Sequence, residues 1–265
     1  MIFFNDNDPS ACTWLRQLIT DGHLTGDVLE KSITEIEPEE VQGYERCHFF
    51  AGIAGWELAL RLAEWPSERP VWTGSCPCQP FSAAGKGEGE TDKRHLWPAW
   101  FSLIRDCRPD CLFGEQVASR DGYRWLDGVR TDLESEGYTF GAADLPAACV
   151  GAPFNGGRLF WVASSDSSKC SIGIQSKDME RPVRQEERRQ EASNGPENNR
   201  AYGVWGCSVR EWEDGIRRRV EPGTFPLAHG FPGQVGLLRG YGNAIVPQVG
   251  AAFIKAFLEA ERSLE

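Results

Sequence analysis

The feature that most constrains the fold of this chain is a repeated alternation of a short apolar run, a Gly- or Pro-containing turn and a helical pattern. The run CHFF at 47–50 leads into the turn AGIAG and then into a helical pattern over 56–63. The same order begins at residues 2–4, where Pro9 stands in the first turn of a helix predicted over 11–19. Further apolar runs lie at 71–74, 111–113 and 159–163, and a last helix is predicted over 248–261. Strands that alternate with helices predict an open α/β sheet that binds ligands at the carboxyl ends of its strands.

The length and composition favour a folded intracellular protein over a membrane or disulfide-rich protein. The chain has 265 residues, 40% of them hydrophobic, so it can bury a substantial core. No apolar run approaches the roughly 18 residues of a membrane span, and the first residues lack the pattern of a signal peptide. We therefore expect a cytoplasmic protein without membrane contact, whose nine cysteines are reduced thiols.

Charge is divided unevenly along the chain. Residues 1–165 contain 25 acidic and 14 basic residues, whereas residues 166–265 contain 14 of each, so the net charge of −11 belongs to the first part. Nucleic-acid binding needs Lys and Arg for phosphate contacts. If the chain binds DNA, the second part must supply most of those contacts.

The segment GSCPCQPFSAAGKG at 74–87 contains two cysteines one residue apart. A Cys-x-Cys pair can bind a metal, but no second pair stands at a usable spacing, and we predict no metal site. Cys78 lies between Pro77 and Gln79, directly after a predicted strand, where an exposed thiolate can act as a nucleophile. The alternative from this segment alone is a small buried residue.

Four motifs together resemble the cytosine-5 DNA methyltransferases. They occur in the family's order and are PCQPFS at 77–82, GEQV at 114–117, RLFWV at 158–162 and GYGNAIV at 240–246. The resemblance implies a Rossmann-like class I methyltransferase sheet with a small irregular target-recognition region. It covers most of the chain except roughly residues 164–215.

The resemblance also implies the catalytic residues. Carbon 5 of cytosine is a weak nucleophile, so a thiolate must first add to carbon 6, and by similarity this thiolate is Cys78. By similarity Glu115 protonates or hydrogen-bonds N3, and Arg158 holds O2. The target base must be rotated out of the duplex, and the Gly-rich loop 82–90 is expected to close over it. Gln79 and Ser82 are the expected DNA contacts beside the nucleophile, whereas Cys76 is expected to be structural.

The implied cofactor is S-adenosyl-L-methionine, with S-adenosyl-L-homocysteine as the product. The turn FAGIAG at 50–55 resembles the family's cofactor-binding turn, in which Ala54 replaces a common Gly. By this resemblance the expected contacts are Phe50, Gly52, Ile53, Gly55, Pro77 and Asn243. A Gly-x-x-Gly turn alone is weak evidence, so this assignment depends on the other motifs.

The order of the first three strand units departs from the family. Only 23 positions separate Gly55 from Cys78, too few for the two further units that carry acidic cofactor contacts. We interpret the N-terminal units as these two, moved ahead of the first, in a sheet ordered 3-2-1-4-5. Asp6 is then expected at the ribose, and Asp27 with Val28 at the adenine. The alternative is that both aspartates are capping or turn residues.

The domain organisation follows from composition and from the resemblance. We expect a catalytic and cofactor-binding domain over 1–163, a partly flexible target-recognition region over 164–220, and a return segment over 221–265 that completes the first domain. Within the recognition region we expect Arg217, Arg218 and Arg219 to contact phosphates along the DNA backbone, although a solvated turn is the alternative.

One motif departs from the family. Where the family has Gln-x-Arg-x-Arg, residues 154–158 read FNGGR, so only the last Arg is kept.

The leading hypothesis is a DNA (cytosine-5-)-methyltransferase that acts on double-stranded DNA. We expect a monomer from a prophage or restriction–modification setting, with a cognate endonuclease or an accessory specificity protein as a possible partner. Two alternatives are an RNA (tRNA) cytosine-5 methyltransferase and a non-catalytic DNA- or cofactor-binding relative. Retention of Cys78, Glu115 and Arg158 together favours the enzyme.

Overall fold

The computed structural model describes residues 1–77, 96–152, 156–165 and 244–263, together with the backbone of 208–211 and 217–220. A seven-stranded sheet forms the centre of the molecule. Its strands are β1 (Ile2–Asp6), β2 (Asp27–Glu30), β3 (Arg46–Phe49), β4 (Val71–Gly74), β5 (Cys111–Val117), β6 (Thr139–Leu145) and β7 (Arg158–Ser164). The predicted α/β class is therefore confirmed.

The strand order is β2-β1-β3-β4-β5-β7-β6. The first five strands are parallel, and β7 runs antiparallel to both β5 and β6. In chain order β1 and β2 precede β3, yet they lie outside it in the sheet. This is the arrangement expected if two strand units have moved ahead of the first one.

Helices cover both faces of the sheet. They are α1 (Pro9–Thr20), α2 (Gly55–Leu62), α3 (Trp97–Cys107), α4 (Arg120–Ser135) and α5 (Pro247–Arg262). The first helix begins as the sequence predicts: Asp8 accepts a hydrogen bond from the Ser10 amide at 2.8 Å, and Pro9 follows as the first helical residue. Helices α3 and α4 and strand β6 had no counterpart in the sequence analysis.

Alternating residues of the strands face two separate apolar layers. Side chains of Phe49, Trp72, Leu112 and Trp161 pack with α3 and α4, whereas Val71, Phe113, Phe160 and Val162 pack with α2 and α5. On the face that packs with α3 and α4, two glycines leave space for tryptophan rings. A Cβ on Gly74 would lie 2.4 Å from the Trp100 ring, and a Cβ on Gly114 would lie 2.1 Å from the Trp161 ring. Gly74 is therefore needed for the packing of α3 against the sheet, and Gly114 for the placement of the Trp161 ring of β7.

A buried ionic cluster lies on the second face, beneath α2. Glu57 is 1% exposed and faces Arg46 at 3.1 Å and Arg61 at 2.7 Å. Nε2 of the buried His48 lies 3.2 Å from the Glu57 carboxylate, and its Nδ1 lies 2.7 Å from the Thr73 hydroxyl. Burial lowers the pKa of His48, so we take it as neutral. Burial alone would raise the pKa of Glu57, but the hydrogen bond from His48 and the two guanidinium groups lower it to about 2.

Outside the main sheet, β8 (Ser208–Glu211) and β9 (Arg217–Val220) form an antiparallel pair. The backbone register places Arg217, Arg218 and Arg219 in β9 opposite residues 209–211, so these arginines lie in a strand and not in a turn.

Among the helices of the described ranges, none has the length and apolar character needed to cross a membrane.

Candidate active site

The candidate site lies where β4 and β5 end side by side. Gly74 is paired with Gly114, so the next residues along these parallel strands, Ser75 and Glu115, are neighbours. The following residue of β5, Gln116, donates a hydrogen bond from Nε2 to the Cys76 carbonyl at 3.0 Å and accepts one from the Val117 amide at 2.9 Å. The side-chain amide of Gln116 therefore anchors the segment that leads into Pro77.

Glu115 and Arg158 form an ion pair at this edge. Glu115 lies opposite Phe160 of the antiparallel strand β7, and Arg158 is two residues away on the same face. The Arg158 Nε lies 2.7 Å from Glu115 Oε1, with the acid side chain 6% exposed and the arginine 25% exposed. Burial raises the pKa of Glu115, while Arg158 and a hydrogen bond from Ser75 act against this increase. The result is a buried carboxyl group that takes up a proton more readily than an exposed one.

Several predicted site residues lie outside the described residues. They are Cys78, Gln79, Ser82 and Asn243. Pro77 is the last described residue before the nucleophile, and it is exposed.

The turn between β3 and α2 has an unusual backbone. Phe50, Gly52 and Ala54 have φ values of +52°, +53° and +66°. A left-handed conformation costs a residue with a side chain about 1–2 kcal/mol, so the replacement of a common Gly by Ala54 carries a conformational cost. A Cβ on Gly52 would meet no atom within 4 Å, which means that this glycine faces open space.

Two distant parts of the chain, the final motif and the end of β1, meet at this turn. A Cβ on Gly55 would lie 2.8 Å from the Ile245 side chain, so the described part of the final motif packs directly against the start of α2. Asp6 ends β1 at the same edge of the sheet, and its carboxylate accepts hydrogen bonds from the Gly52 amide at 2.8 Å and the Asp8 amide at 2.9 Å. The structure therefore brings Asp6, Gly52 and Gly55 together with Ile53 and Phe50.

The interpretation of Asp27 and Val28 as an adenine-binding turn is wrong. Asp27 begins β2 and is paired with Phe3, whereas Glu30 at the end of β2 is paired with Asp6. Asp27 therefore lies about 10 Å along the strand from the carboxyl edge. Its carboxylate instead accepts a hydrogen bond from the Tyr44 hydroxyl at 2.8 Å.

The residues that do follow β2 at the carboxyl edge are Lys31 and Ser32, which the sequence analysis missed. Ser32 caps the short 3-10 helix Ile33–Glu35, accepting a hydrogen bond from the Thr34 amide. A capping serine immediately before the buried Ile33 was the signal that this strand ends just before Ser32 and does not end ahead of Asp27.

The other described cysteines differ in their exposure and ionisation. Cys76 is 2% exposed, which agrees with a structural residue. Burial raises the pKa of Cys12 to about 11 and that of Cys47 to about 12, so neither is a thiolate at neutral pH. Cys149 is exposed. Within the described ranges no three His, Cys, Asp or Glu side chains are grouped as metal ligands.

Comparison with known proteins identifies a family whose sequence model covers the residues of this site. The sequence model of the family described as C-5 cytosine-specific DNA methylase matches residues 64–219. The type II methyltransferase M.HhaI of Haemophilus parahaemolyticus is 26% identical over 167 residues, covering 48% of this chain and 51% of that protein. M.NlaX of Neisseria lactamica is 28% identical over 135 residues, covering 49% and 42% respectively. The chain thus spans about half the length of the curated relatives it matches.

Similarity to solved structures concerns the fold. The crystal structure of the S. pombe Dnmt2 methyltransferase superimposes with a TM-score of 0.53 at 12% identity, covering 97% of this chain and 98% of that one. At this identity the match supports a shared methyltransferase fold and carries no information about the substrate.

Proposed function

Because this chain belongs to the C-5 cytosine-specific DNA methylase family, we propose that it methylates carbon 5 of a cytosine that is rotated out of double-stranded DNA. The methyl donor in this proposal is S-adenosyl-L-methionine. The observation that carries the proposal is the buried Glu115–Arg158 pair beside the anchored segment that leads into Cys78. An acid and a guanidinium at this position match the N3 and O2 atoms of a cytosine ring.

In the proposed reaction the Cys78 thiolate donates an electron pair to carbon 6 of the base, and the C5–C6 π pair moves onto carbon 5. Glu115 donates a proton or a hydrogen bond to N3, which stabilises the charge that develops on the ring. Arg158 donates to O2 and fixes the orientation of the base. Carbon 5 would then take the methyl group as the bond between that group and the donor sulfur breaks, leaving S-adenosyl-L-homocysteine. The carbon 5 proton leaves to water, the electron pair of its C–H bond restores the C5–C6 double bond, and the C6–S bond breaks to release the Cys78 thiolate. Any proton taken up at N3 returns to Glu115.

The described residues at the carboxyl edge fit an adenosyl cofactor. When bound, it supplies an electrophilic methyl group on a sulfonium. The Asp6 carboxylate has unused acceptor positions, although two amides already donate to it, and these positions suit ribose hydroxyls. The open side of Gly52 leaves room for the ligand next to them. We propose that the adenine lies near Lys31 and Ser32, with Phe50, Ile53 and Gly55 completing this part of the site and Pro77 with Asn243 near the methionine part.

We also propose the domain division described above: a catalytic domain over 1–163, a recognition region over 164–220 and a return segment over 221–265. In this proposal the region 164–220 recognises the DNA sequence. Strand β9 contains three consecutive arginines, a composition that suits contact with phosphates. Gln79 and Ser82 are proposed to contact the DNA near the target base. We further propose that the protein is a monomer and that it works with a cognate endonuclease or an accessory specificity protein.

The test of the proposed function is covalent trapping. We expect the protein, incubated with S-adenosyl-L-methionine and duplex DNA that contains 5-fluorocytosine, to form an adduct that survives denaturation, because fluorine at carbon 5 cannot leave as a proton does. Cys78→Ala should form none. Cys149→Ala, which removes an exposed thiol elsewhere, should retain the adduct. The same incubation is made with tRNA that contains 5-fluorocytosine. An adduct on this tRNA and none on DNA would indicate the RNA substrate. No adduct on either nucleic acid, despite DNA binding, would indicate a non-catalytic binder.

A second prediction concerns the cofactor. Asp6→Ala is expected to weaken binding of S-adenosyl-L-methionine by about 1–3 kcal/mol, because hydrogen bonds to a charged acceptor are lost. Isothermal titration calorimetry measures the affinity. Asp27→Ala is the matched control and should bind as the unaltered protein does, since Asp27 lies at the opposite end of its strand. Equal losses in both variants would contradict the role of Asp6, and thermal unfolding of each variant reports any loss of structure.

A further inference from the structure

A buried amide side chain lies between the two parts of the proposed cofactor site. Asn5 of β1 is 1% exposed and is paired with Leu29 of β2. Its Nδ2 donates to the Leu29 carbonyl at 3.2 Å and to the Lys31 carbonyl at 2.8 Å. Because an amide nitrogen carries two hydrogens, both bonds can form at once. The side chain therefore ties β2 to β1 one residue beyond the last pair of the ladder, which joins Asp6 to Glu30.

The end of β1 is also bonded to its neighbours on both sides through other groups. Toward β3, the Asn5 carbonyl accepts a hydrogen bond from the Ala51 amide at 2.9 Å, and the Asp6 carboxylate accepts one from the Gly52 amide at 2.8 Å. Toward β2, the Asp6 carbonyl accepts one from the Lys31 amide at 3.2 Å. Two consecutive residues of β1 thus hold both the turn between β3 and α2 and the segment that follows β2.

The segment that follows β2 is the proposed position of the adenine. Lys31 and Ser32 come directly after Glu30 at the carboxyl edge, where an open α/β sheet binds its ligands. The next residue, Ile33, is buried in the apolar layer that packs with α3 and α4. Lys31 and Ser32 therefore lie between two fixed points, the Asn5 amide on one side and the Ile33 side chain on the other.

We propose that Asn5 is a positioning residue that sets the place of Lys31 and Ser32 relative to Asp6, and thereby determines how well the site distinguishes adenine from other purines. The part that concerns the cofactor rests on the proposed function, whereas the hydrogen bonds do not. In an adenosyl ligand the ribose and the purine are joined by one bond, so the groups that bind them must keep a fixed separation. Loss of the Asn5 amide leaves two carbonyls without these donors, and the end of β2 is then free to shift.

The first experiment tests the hydrogen bonds in the protein without ligand. Hydrogen–deuterium exchange measured by mass spectrometry follows the backbone amides of residues 29–35. We expect Asn5→Ala to speed exchange in this peptide about tenfold, because the local opening of the strand end costs less free energy. Tyr44→Phe is the matched control and should leave this peptide unchanged, since the Tyr44 hydroxyl bonds Asp27 at the opposite end of β2.

The second experiment measures discrimination between purines by calorimetry. The ligands are S-adenosyl-L-homocysteine and S-inosyl-L-homocysteine, in which a carbonyl replaces the 6-amino group of the purine. We expect the unaltered protein to bind the adenosyl ligand about tenfold more tightly, the value of one well-placed hydrogen bond, and Asn5→Ala to reduce this preference to about twofold. Asp6→Ala should weaken both ligands equally and keep the preference, because both ligands carry the same ribose. Tyr44→Phe should keep both affinities.

Several outcomes would overturn the inference. They are unchanged exchange over 29–35 in a folded Asn5 variant, an equal loss of affinity for both ligands in that variant, and the absence of any preference in the unaltered protein. If Asn5→Ala does not fold, Asn5→Thr repeats both measurements, because a β-branched residue suits a strand. If the unaltered protein binds neither ligand, the proposed cofactor fails, while the exchange experiment still decides whether Asn5 holds the end of β2.

Discussion

Glu115→Gln is expected to lower the rate of methyl transfer by about 10²–10⁴-fold, the usual contribution of a positioned acid. Glutamine keeps the size of the side chain and can still donate a hydrogen bond, but it cannot supply a proton to N3. The rate is measured in a single turnover with S-adenosyl-L-methionine labelled in its methyl group and an excess of protein over DNA. Glu115 is the buried acid that β5 places next to Arg158 and Ser75.

The control for Glu115→Gln is cofactor binding. Because Asp6 and Gly52 belong to other strand ends than Glu115, the affinity for S-adenosyl-L-methionine should stay within about twofold. Thermal unfolding shows whether Arg158, left beside a neutral amide, destabilises the variant. An unchanged single-turnover rate would remove Glu115 from the proposed mechanism, even if trapping at Cys78 succeeds.

Glu57→Ala is expected to destabilise the fold by about 3–5 kcal/mol, the cost typical of breaking a buried ion pair from one side. The variant leaves Arg46 and His48 without the carboxylate that they face at 3.1 and 3.2 Å beneath α2. Chemical denaturation at constant pH measures the free energy of unfolding. Because α2 follows the strained turn at Phe50 to Ala54, we also expect weaker cofactor binding.

A matched control for Glu57→Ala exists on α4. Glu134→Ala also removes a carboxylate from an Arg pair four residues apart, but Arg130 and Glu134 are 49% and 44% exposed. The expected cost is about 0.3–0.5 kcal/mol, because water and salt screen exposed pairs. Similar losses in the two variants would contradict the view that burial makes the Glu57 cluster important.

The same cluster predicts how stability depends on pH. The pKa of Glu57 is about 2 in the folded state, so its contribution is complete above the unfolded value of roughly 4.3 and is lost as the pH falls toward 2. His48 acts in the same direction, because its lowered pKa means that the unfolded chain takes up a proton first as the pH falls below about 6.5. Glu57→Ala should flatten the acid branch of the stability curve measured by denaturation from pH 7 to pH 3.

Local sequence patterns were sufficient for the elements that carry strong boundary signals. Pro9 and the apolar run before it located β1 and α1, and the CHFF run with its glycine turn located β3 and α2. The exchange of strand units could also be read from the short spacing between Gly55 and Cys78, because too few residues remained for two further units. In these places the backbone conformation depends on neighbouring residues, which the sequence displays directly.

The sequence determined the family, the alternating α/β class and the order of the first five strands of the sheet. Only the tertiary structure decided that Asp27 lies at the far end of its strand and that Arg158 of β7 pairs with the buried Glu115 of β5. It also decided that Glu57 is enclosed by His48 and two arginines. The physical reason is register: an offset of three residues along a strand moves a side chain by about 10 Å, and such an offset is set by pairing between distant segments.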